Sequence, residues 1–204
     1  QFNDCWPVTS WSSLDYYGNW KAFHYQAKRS FENVLLSAEV TNSGIYKFFV
    51  INDGMQNYAG ELKAEIRNFK GQLLWEKKAY CKSDASSNVA AILLPFPSLK
   101  EFDTQNSYLK MEFISDDNYW ESNFFFEKPK DLKLSKPNIE IKTIDEVTIE
   151  ISSDVLAKDV FLYSENDTFF EDNYFDLLPN EKRIIKLSKA VKEIKVKSLF
   201  DTMK

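Results

Sequence analysis

The spacing of hydrophobic residues changes along the chain after about residue 31. Before that point, apolar residues recur at intervals of three and four, which places them on one face of a helix. These residues are Trp20, Phe23, His24, Ala27 and Phe31. Asn19 precedes them and is a candidate N-cap. One short helix cannot bury such a face by itself, so we expect this segment to pack on the following sandwich or on a neighbouring chain.

From about Asn33 onward, apolar and polar residues alternate as they do in half-buried strands. The clearest examples are Leu62, Ala64 and Ile66, and later Leu109, Met111 and Phe113. Turn residues separate the runs, as at Asn52-Asp53-Gly54, Lys70-Gly71 and Asp116-Asp117-Asn118. This spacing is typical of antiparallel sandwiches. We therefore predict an antiparallel β-sandwich over residues 32–128.

Two prolines in a polar stretch, Pro129 and Pro137, predict a link between domains. The alternation then restarts at Ile139 and continues to Val196, which predicts a second, smaller sandwich over residues 132–204. No glycine follows Gly71, so the later turns must use Asn, Asp and Pro. Asn166-Asp167 and Pro179-Asn180 are the candidates.

Composition narrows the possible partners. The chain of 204 residues is 44% hydrophobic and 28% charged, with a net charge of −5 and no clustered basic residues. We therefore expect a globular protein that does not bind nucleic acid. No apolar run is long enough for a membrane span, and no signal peptide is visible. The aromatic sequence that begins directly at Gln1 predicts that the chain is part of a longer protein.

The sequence offers little support for catalysis by this chain. His24 lies within the helical stripe, where a packed histidine is the simpler interpretation. The acidic positions Asp116-Asp117, Glu171-Asp172 and Asp176 are more typical of solvated turns than of an acid/base pair or a Ca²⁺ site. Motifs for acyl transfer, nucleotides and zinc are missing, and Cys5 and Cys81 have no metal-ligand spacing. We predict no catalytic residue, metal or cofactor.

Aromatic residues suggest a different function, because flat rings stack on the apolar faces of sugars. An exposed Trp75, Tyr119 or Trp120 on a β-sandwich would suit a module that binds mannan or a related polysaccharide. The competing interpretation is that these rings pack in the core or at an interface. Both interpretations stay open at this point.

Two motifs resemble a known family. Residues 1–25 contain Gln-Phe-Asn-Asp-Cys-Trp-Pro, then Ser-Trp-Ser-Ser, then Trp-Lys-Ala-Phe-His-Tyr. This sequence resembles the last strand, loop and final helix of the catalytic barrel in β-mannosidases of glycoside hydrolase family 2. Residues 172–179 read Asp-Asn-Tyr-Phe-Asp-Leu-Leu-Pro and are similar to a signature of the family's C-terminal immunoglobulin-like domain.

The resemblance implies a mainly β protein, with two immunoglobulin-like antiparallel sandwiches preceded by a short strand-helix remnant of a (β/α)8 barrel at residues 1–31. The family consists of retaining exo-hydrolases that remove terminal β-D-mannose, so β-mannosides are the implied substrates of the intact enzyme. Both catalytic carboxylates of the family come from barrel strands upstream of the last strand. We therefore expect this chain to be an accessory, structural and inactive fragment that serves a catalytic barrel it does not contain.

The resemblance also implies site residues. Asn3, Asp4 and Trp6 match the motif at the end of the last barrel strand, where barrel active sites gather. We expect them to border or support the mannose-binding pocket, although a purely structural role for Asp4 and Trp6 is equally consistent with the sequence. A homo-oligomer is a further expectation. The family is typically periplasmic, secreted or lysosomal, which is what resemblance implies for the compartment.

Overall fold

A computed structural model describes residues 1–43, 45–95, 101–165 and 168–203. The chain forms two compact units. One unit comprises Phe31–Leu134. The other combines Gln1–Ser30 with Ser135–Lys204. The sequence analysis instead predicts residues 1–31 as a separate element.

The unit at 31–134 is an antiparallel sandwich. Its strands are β1 (Val34–Val40), β2 (Ile45–Asn52), β3 (Tyr58–Asn68), β4 (Leu73–Ser83), β5 (Ser87–Pro95), β6 (Ser107–Ser115) and β7 (Asn118–Phe125). One sheet has the order β1-β2-β5 and the other the order β4-β3-β6-β7. Neighbouring strands run antiparallel, as the alternation predicts.

The core of this sandwich lies where alternate residues of its two sheets face each other. Leu62, Ala64 and Ile66 of β3 are fully buried, as are the alternating apolar residues of β6, so the predicted inward faces are confirmed. Asn52 is the last residue of β2, and its buried side chain holds the following turn in place. Its Nδ2 donates to the carbonyl oxygens of Gln56 at 2.7 Å and Asp84 at 3.0 Å, and these bonds satisfy an amide that would otherwise be costly to bury.

Residues 135–203 form a second, smaller antiparallel sandwich, as predicted. Its strands are β8 (Ile139–Asp145), β9 (Thr148–Ser153), β10 (Ala157–Tyr163), β11 (Phe175–Leu177), β12 (Lys182–Lys186) and β13 (Lys195–Lys197). The sheets have the orders β12-β9-β8 and β11-β10-β13. Asn180 adopts a left-handed φ of 63° in the predicted turn after Pro179. The turn predicted at Asn166-Asp167 lies outside the described residues.

The N-terminal segment contains one helix, α1 (Ala22–Ser30). The strand expected before it is reduced to isolated bridges, in which Leu14 pairs with Asn3 and with Trp20. A barrel strand forms its regular ladder only between neighbouring strands, and no described strand of this unit pairs with residues 1–20. The segment therefore holds its shape through a few backbone bonds and through side chains.

The face of α1 that is buried differs from the predicted stripe. Tyr25 is the buried residue of the helix, while Phe23 and Phe31 are 64% and 86% exposed. The prediction that Asn19 caps the helix is also wrong, because α1 begins at Ala22 and the Asn19 side chain donates to Asp15 at 2.9 Å. Spacing alone identifies a helix but does not say which aromatic residues face its partner.

Helix α1 packs on the C-terminal sandwich, a surface that the sequence analysis does not name as its partner. The Tyr25 hydroxyl donates to the carbonyl oxygen of Phe170 at 3.0 Å. One turn later, Arg29 donates to Asp172 Oδ1 at 2.7 Å and to the carbonyl oxygen of Tyr174 at 2.9 Å. The signature at 172–179 therefore provides the surface that receives the helix.

Substituting Tyr25 tests which face of α1 is docked. Tyr25→Ala removes a buried ring and a buried hydrogen bond, so it should lower the free energy of unfolding of this unit by about 3–5 kcal/mol. Phe23→Ala, a matched aromatic change on the same helix, should alter it by less than about 0.5 kcal/mol because that ring is exposed. Urea unfolding followed by circular dichroism measures both. Equal losses in the two variants would contradict the docking described here.

Candidate functional site

Backbone hydrogen bonds close residues 4–14 into a loop. Ser13 and Leu14 both donate from their amides to the Phe2 carbonyl oxygen, at 3.1 and 3.0 Å, and the Asp4 amide donates to the Leu14 carbonyl oxygen at 3.2 Å. The two ends of the loop therefore lie side by side. We call residues 4–14 the aromatic loop, because Trp6 and Trp11 project from it.

A buried carboxylate organises the interior of the aromatic loop. Asp4 is only 2% exposed. The Lys21 ammonium donates to Asp4 Oδ2 at 2.8 Å and to Ser12 Oγ at 2.8 Å. The Ser10 hydroxyl donates to Asp4 Oδ1. A carboxylate with these partners is satisfied in place, as a buried charge must be.

These hydrogen bonds also set the ionisation of Asp4. The bond from Lys21 and then the bond from Ser10 lower the pKa of the Asp4 carboxyl below its ordinary value, and they outweigh the opposing effect of desolvation. Asp4 is therefore ionised at neutral pH, accepts hydrogen bonds and does not donate a proton. Its chemistry here is that of an anchor for the loop.

The structure places the three predicted substrate-binding residues differently. The Asp4 carboxylate faces the interior, on Lys21 and Ser10. Asn3 is exposed, and its Nδ2 donates to the Asp4 carbonyl oxygen at 3.1 Å. The Trp6 ring is 65% exposed. The three residues adjoin along the chain, but their side chains do not converge on a single point.

Sequence reasoning missed Lys21, Ser10 and Ser12 as members of this network. All three belong to the motif that carries the family resemblance, so their residue types could have marked them as candidates. Their roles depend on contacts across 9 to 17 positions of chain, in the bonds that link Lys21 to Ser12 and to Asp4. Local spacing does not reveal such contacts.

His24 packs between aromatic rings, in agreement with the simpler interpretation of its position. Its ring lies 4.2 Å from that of Trp20 and 5.8 Å from that of Phe2, in edge-on geometry in both cases. The two cysteines are free thiols, with Cys5 exposed and Cys81 buried.

Two of the acidic candidates have structural roles. Asp116 occupies the turn between β6 and β7 with a left-handed φ of 50°. Asp172 accepts hydrogen bonds from Arg29 at 2.7 Å and from Arg183 at 3.0 Å. Within the described parts of the chain, no three His, Cys, Asp or Glu side chains are grouped so that they could hold a metal ion. Nor does any helix described there have the length and apolar character of a membrane span.

Most of the rings proposed as sugar platforms pack against other side chains of the sandwich. Trp75 and Trp120 both pack against the core of the first sandwich. The Trp120 ring stacks on Phe113 at 5.7 Å and meets Tyr58 edge-on at 4.8 Å. Only Tyr119, among the three proposed rings, is a large exposed residue, with 51% of its surface accessible. The two tryptophans therefore follow the core-packing interpretation.

The outer face of the four-stranded sheet carries a network of charges around Glu65. This residue is 3% exposed although it lies on the polar side of β3. Arg67 Nε contacts Glu65 Oε2 at 2.8 Å, and Lys63 pairs with the other carboxylate oxygen. Burial would raise the pKa of Glu65, but the hydrogen bonds from Arg67 and Lys63 lower it to about 2.

Comparison with known protein families identifies both sandwiches. Residues 44–131 match the model of a mannosidase Ig/CBM-like domain, and residues 134–202 match the model of an Ig-fold domain of mannosidases. The two matched ranges meet near the boundary between the compact units at Leu134.

Whole-chain comparisons agree with the domain matches. Beta-mannosidase B of Thermothelomyces thermophilus is 25% identical, with 98% of this chain and 26% of that protein covered. The beta-mannosidase of Rattus norvegicus is 26% identical, with 91% and 23% covered. The crystal structure of a beta-D-mannosidase from Dictyoglomus thermophilum superimposes with a TM-score of 0.80 at 27% identity, with 97% and 25% covered. The chain thus spans about a quarter of the length of the relatives it matches.

The ionisation of Glu65 predicts a pH-dependent stability for the first sandwich. Because its folded pKa is lowered, its contribution is fully present above the unfolded value of about 4.3 and is lost as pH falls towards 2. Glu65→Gln should cost about 2–3 kcal/mol at pH 7 and much less near pH 2.5. Glu61→Gln, which affects a half-exposed pair with Lys78, should cost less than about 1 kcal/mol. Urea unfolding across this pH range decides the question, and a Glu65→Gln deficit that stays constant with pH would contradict the prediction.

Proposed function

We propose that this chain, which belongs to the β-mannosidases of glycoside hydrolase family 2 as a C-terminal part, is the accessory region of a retaining exo-β-mannosidase. In this proposal the intact protein removes terminal β-D-mannose, and a catalytic barrel outside the 204 residues performs the chemistry. The role of this chain is to complete one side of the barrel and to hold it on the two sandwiches.

The observation that carries the proposal is the number of exposed rings on a segment that is itself held firmly. Large apolar residues are exposed throughout the N-terminal segment. They are Phe2, Trp6, Val8, Trp11, Tyr16, Tyr17 and Phe23. Such a concentration of apolar surface marks an interaction site, and the barrel of a protein about four times longer than this chain is the occupant we propose for the rings outside the aromatic loop.

The state of the carboxylates supports a catalytic centre elsewhere in the protein. Retention requires two carboxyl groups about 5–5.5 Å apart, of which one acts as nucleophile and the other as acid and then base. Asp4, Glu65 and Asp172 are each held by Lys or Arg side chains. Carboxylates committed to such pairs are suited to bracing the structure and poorly suited to attacking a sugar.

For Asn3, Asp4 and Trp6, we propose a place at the border of the mannose pocket. Loops at the carboxyl ends of barrel strands form the active site in this architecture. The exposed Asn3 amide and Trp6 ring would face the sugar, while the buried Asp4 supports them from behind. This division of roles accounts for both the exposure of the two side chains and the burial of the third.

The alternative function, a module that binds mannan or a related polysaccharide, receives less support. The family description of residues 44–131 as CBM-like favours it. However, Trp75 and Trp120 pack against the core, which leaves Tyr119 as the exposed member of the proposed platform. A platform made from one ring holds sugars weakly, so we prefer the accessory role.

The release of mannose tests the proposal. The intact protein should hydrolyse 4-nitrophenyl β-D-mannoside, and the 204-residue chain should release none above a buffer control, because the catalytic pair is supplied by the rest of the protein. Both proteins are assayed at equal molar concentration, with 4-nitrophenyl β-D-glucoside as the control substrate. Turnover by the isolated chain would overturn the accessory role, and an inactive intact protein would overturn the assignment of activity.

A further inference from the structure

We propose that Lys21 is a positioning residue that fixes the aromatic loop, and with it the Trp6 and Trp11 rings, beside the bound sugar. The inference rests on the function proposed above, which places this loop at the pocket. It goes beyond that function because it assigns a role in the reaction to a side chain that faces away from the sugar, into the interior of the loop.

Three hydrogen bonds from one ammonium group join the two ends of the loop. An ammonium has three N–H donors. Lys21 uses them on Asp4 Oδ2 at 2.8 Å, on Ser12 Oγ at 2.8 Å and on the Ser10 carbonyl oxygen at 3.3 Å. Asp4 begins the loop, and the two serines precede its end. Lys21 therefore links the beginning of the aromatic loop to the part just before its end.

Removing the ammonium would disturb the whole loop. The Asp4 carboxylate has no solvent-exposed side-chain surface, and a buried charge without its partner is strongly destabilising. The carboxylate would then take up a proton or move into water. Either change disrupts the bond that it accepts from Ser10, and the loop loses its shape.

Lys21 is itself held from two sides. Its amide donates to the Ser13 carbonyl oxygen at 3.0 Å, which ties it to the loop. It also directly precedes helix α1, which Tyr25 anchors on the C-terminal sandwich. Lys21 is thus one of the residues that connect the loop to the C-terminal sandwich.

The two tryptophan rings of the aromatic loop are exposed in the folded unit. Trp11 is 87% exposed and Trp6 is 65% exposed, so neither ring stabilises the unit by burial. Two exposed indoles on a loop that is locked from within form a preorganised apolar surface, which costs little entropy when a ligand stacks on it. Sugars, with their flat apolar faces, fit such a surface.

Steady-state kinetics of the intact protein provide the first test. Lys21→Met should lower kcat/KM for 4-nitrophenyl β-D-mannoside between about tenfold and a hundredfold, mainly through a higher KM, because the wall of the pocket is displaced. Lys21→Arg should recover part of the loss. Lys28→Met, on the same helix and donating to the Glu171 carbonyl oxygen, should behave like the wild type.

The division between KM and kcat separates positioning from simple instability. A variant that merely unfolds contains fewer active molecules, so its apparent kcat falls and its KM stays unchanged. That result for Lys21→Met would overturn the proposal, as would kinetics identical to those of the wild type.

A second readout is independent of activity. Cys5 lies in the aromatic loop and is exposed, whereas the other cysteine, Cys81, is buried. A nitroxide attached to Cys5 of the 204-residue chain reports the mobility of the loop by electron paramagnetic resonance. The spectrum should narrow in Lys21→Met and stay unchanged in Lys28→Met, and an unchanged spectrum in Lys21→Met would overturn the proposal.

The two readouts distinguish failure of this inference from failure of the proposed function. If the wild-type intact protein releases mannose and Lys21→Met does so equally well, the positioning role is wrong and the mannosidase assignment stands. If the wild-type protein releases no mannose, the proposed function falls, and the role of Lys21 in catalysis falls with it, whatever the nitroxide spectrum shows about the loop.

Discussion

The packing of Tyr25 on the C-terminal sandwich is the interaction on which the N-terminal segment depends. A helix of nine residues is marginal by itself in water. The buried Tyr25 ring, with its hydroxyl on the Phe170 carbonyl oxygen, gives the helix a fixed seat. Burial, and then the neighbouring Asp172 charge, raises the pKa of Tyr25 far above its ordinary value, so this hydroxyl keeps its proton and its bond. The docked helix holds Lys21 in position, and Lys21 in turn holds Asp4 and the aromatic loop through its hydrogen bonds.

Most of the fold could be predicted because, in both sandwiches, alternation along the sequence corresponds to burial. Leu62 and Ile66 face the core because neighbouring side chains of a strand point to opposite sides. Glu65 is the instructive exception, since it is buried on the polar side. Lys63 and Arg67 on the same strand supply the charges that make its burial tolerable. The pattern of residue types contains no sign of that burial.

The candidate site was less predictable, for two physical reasons. Residues 20–31 contain aromatic rings that pack on the sandwich and others that stay exposed. Spacing along the sequence does not distinguish Tyr25 from Phe23, because only the contact with the sandwich does so. In addition, the role of Asp4 depends on Lys21, 17 positions later. The resemblance identified Asp4 as a candidate site residue, and the structure adds that its carboxylate is buried against Lys21 and Ser10.

The central claim is that the exposed rings of the N-terminal segment outside the aromatic loop are covered by the rest of a longer protein. Hydroxyl-radical footprinting with mass spectrometry measures this directly, by comparing Tyr16, Tyr17 and Phe23 in the 204-residue chain and in the intact protein. We predict ready oxidation of the three side chains in the isolated chain and strong protection in the intact protein, with the exposed Tyr80 of the first sandwich as an internal reference. Equal oxidation of the three rings in both proteins would contradict the account.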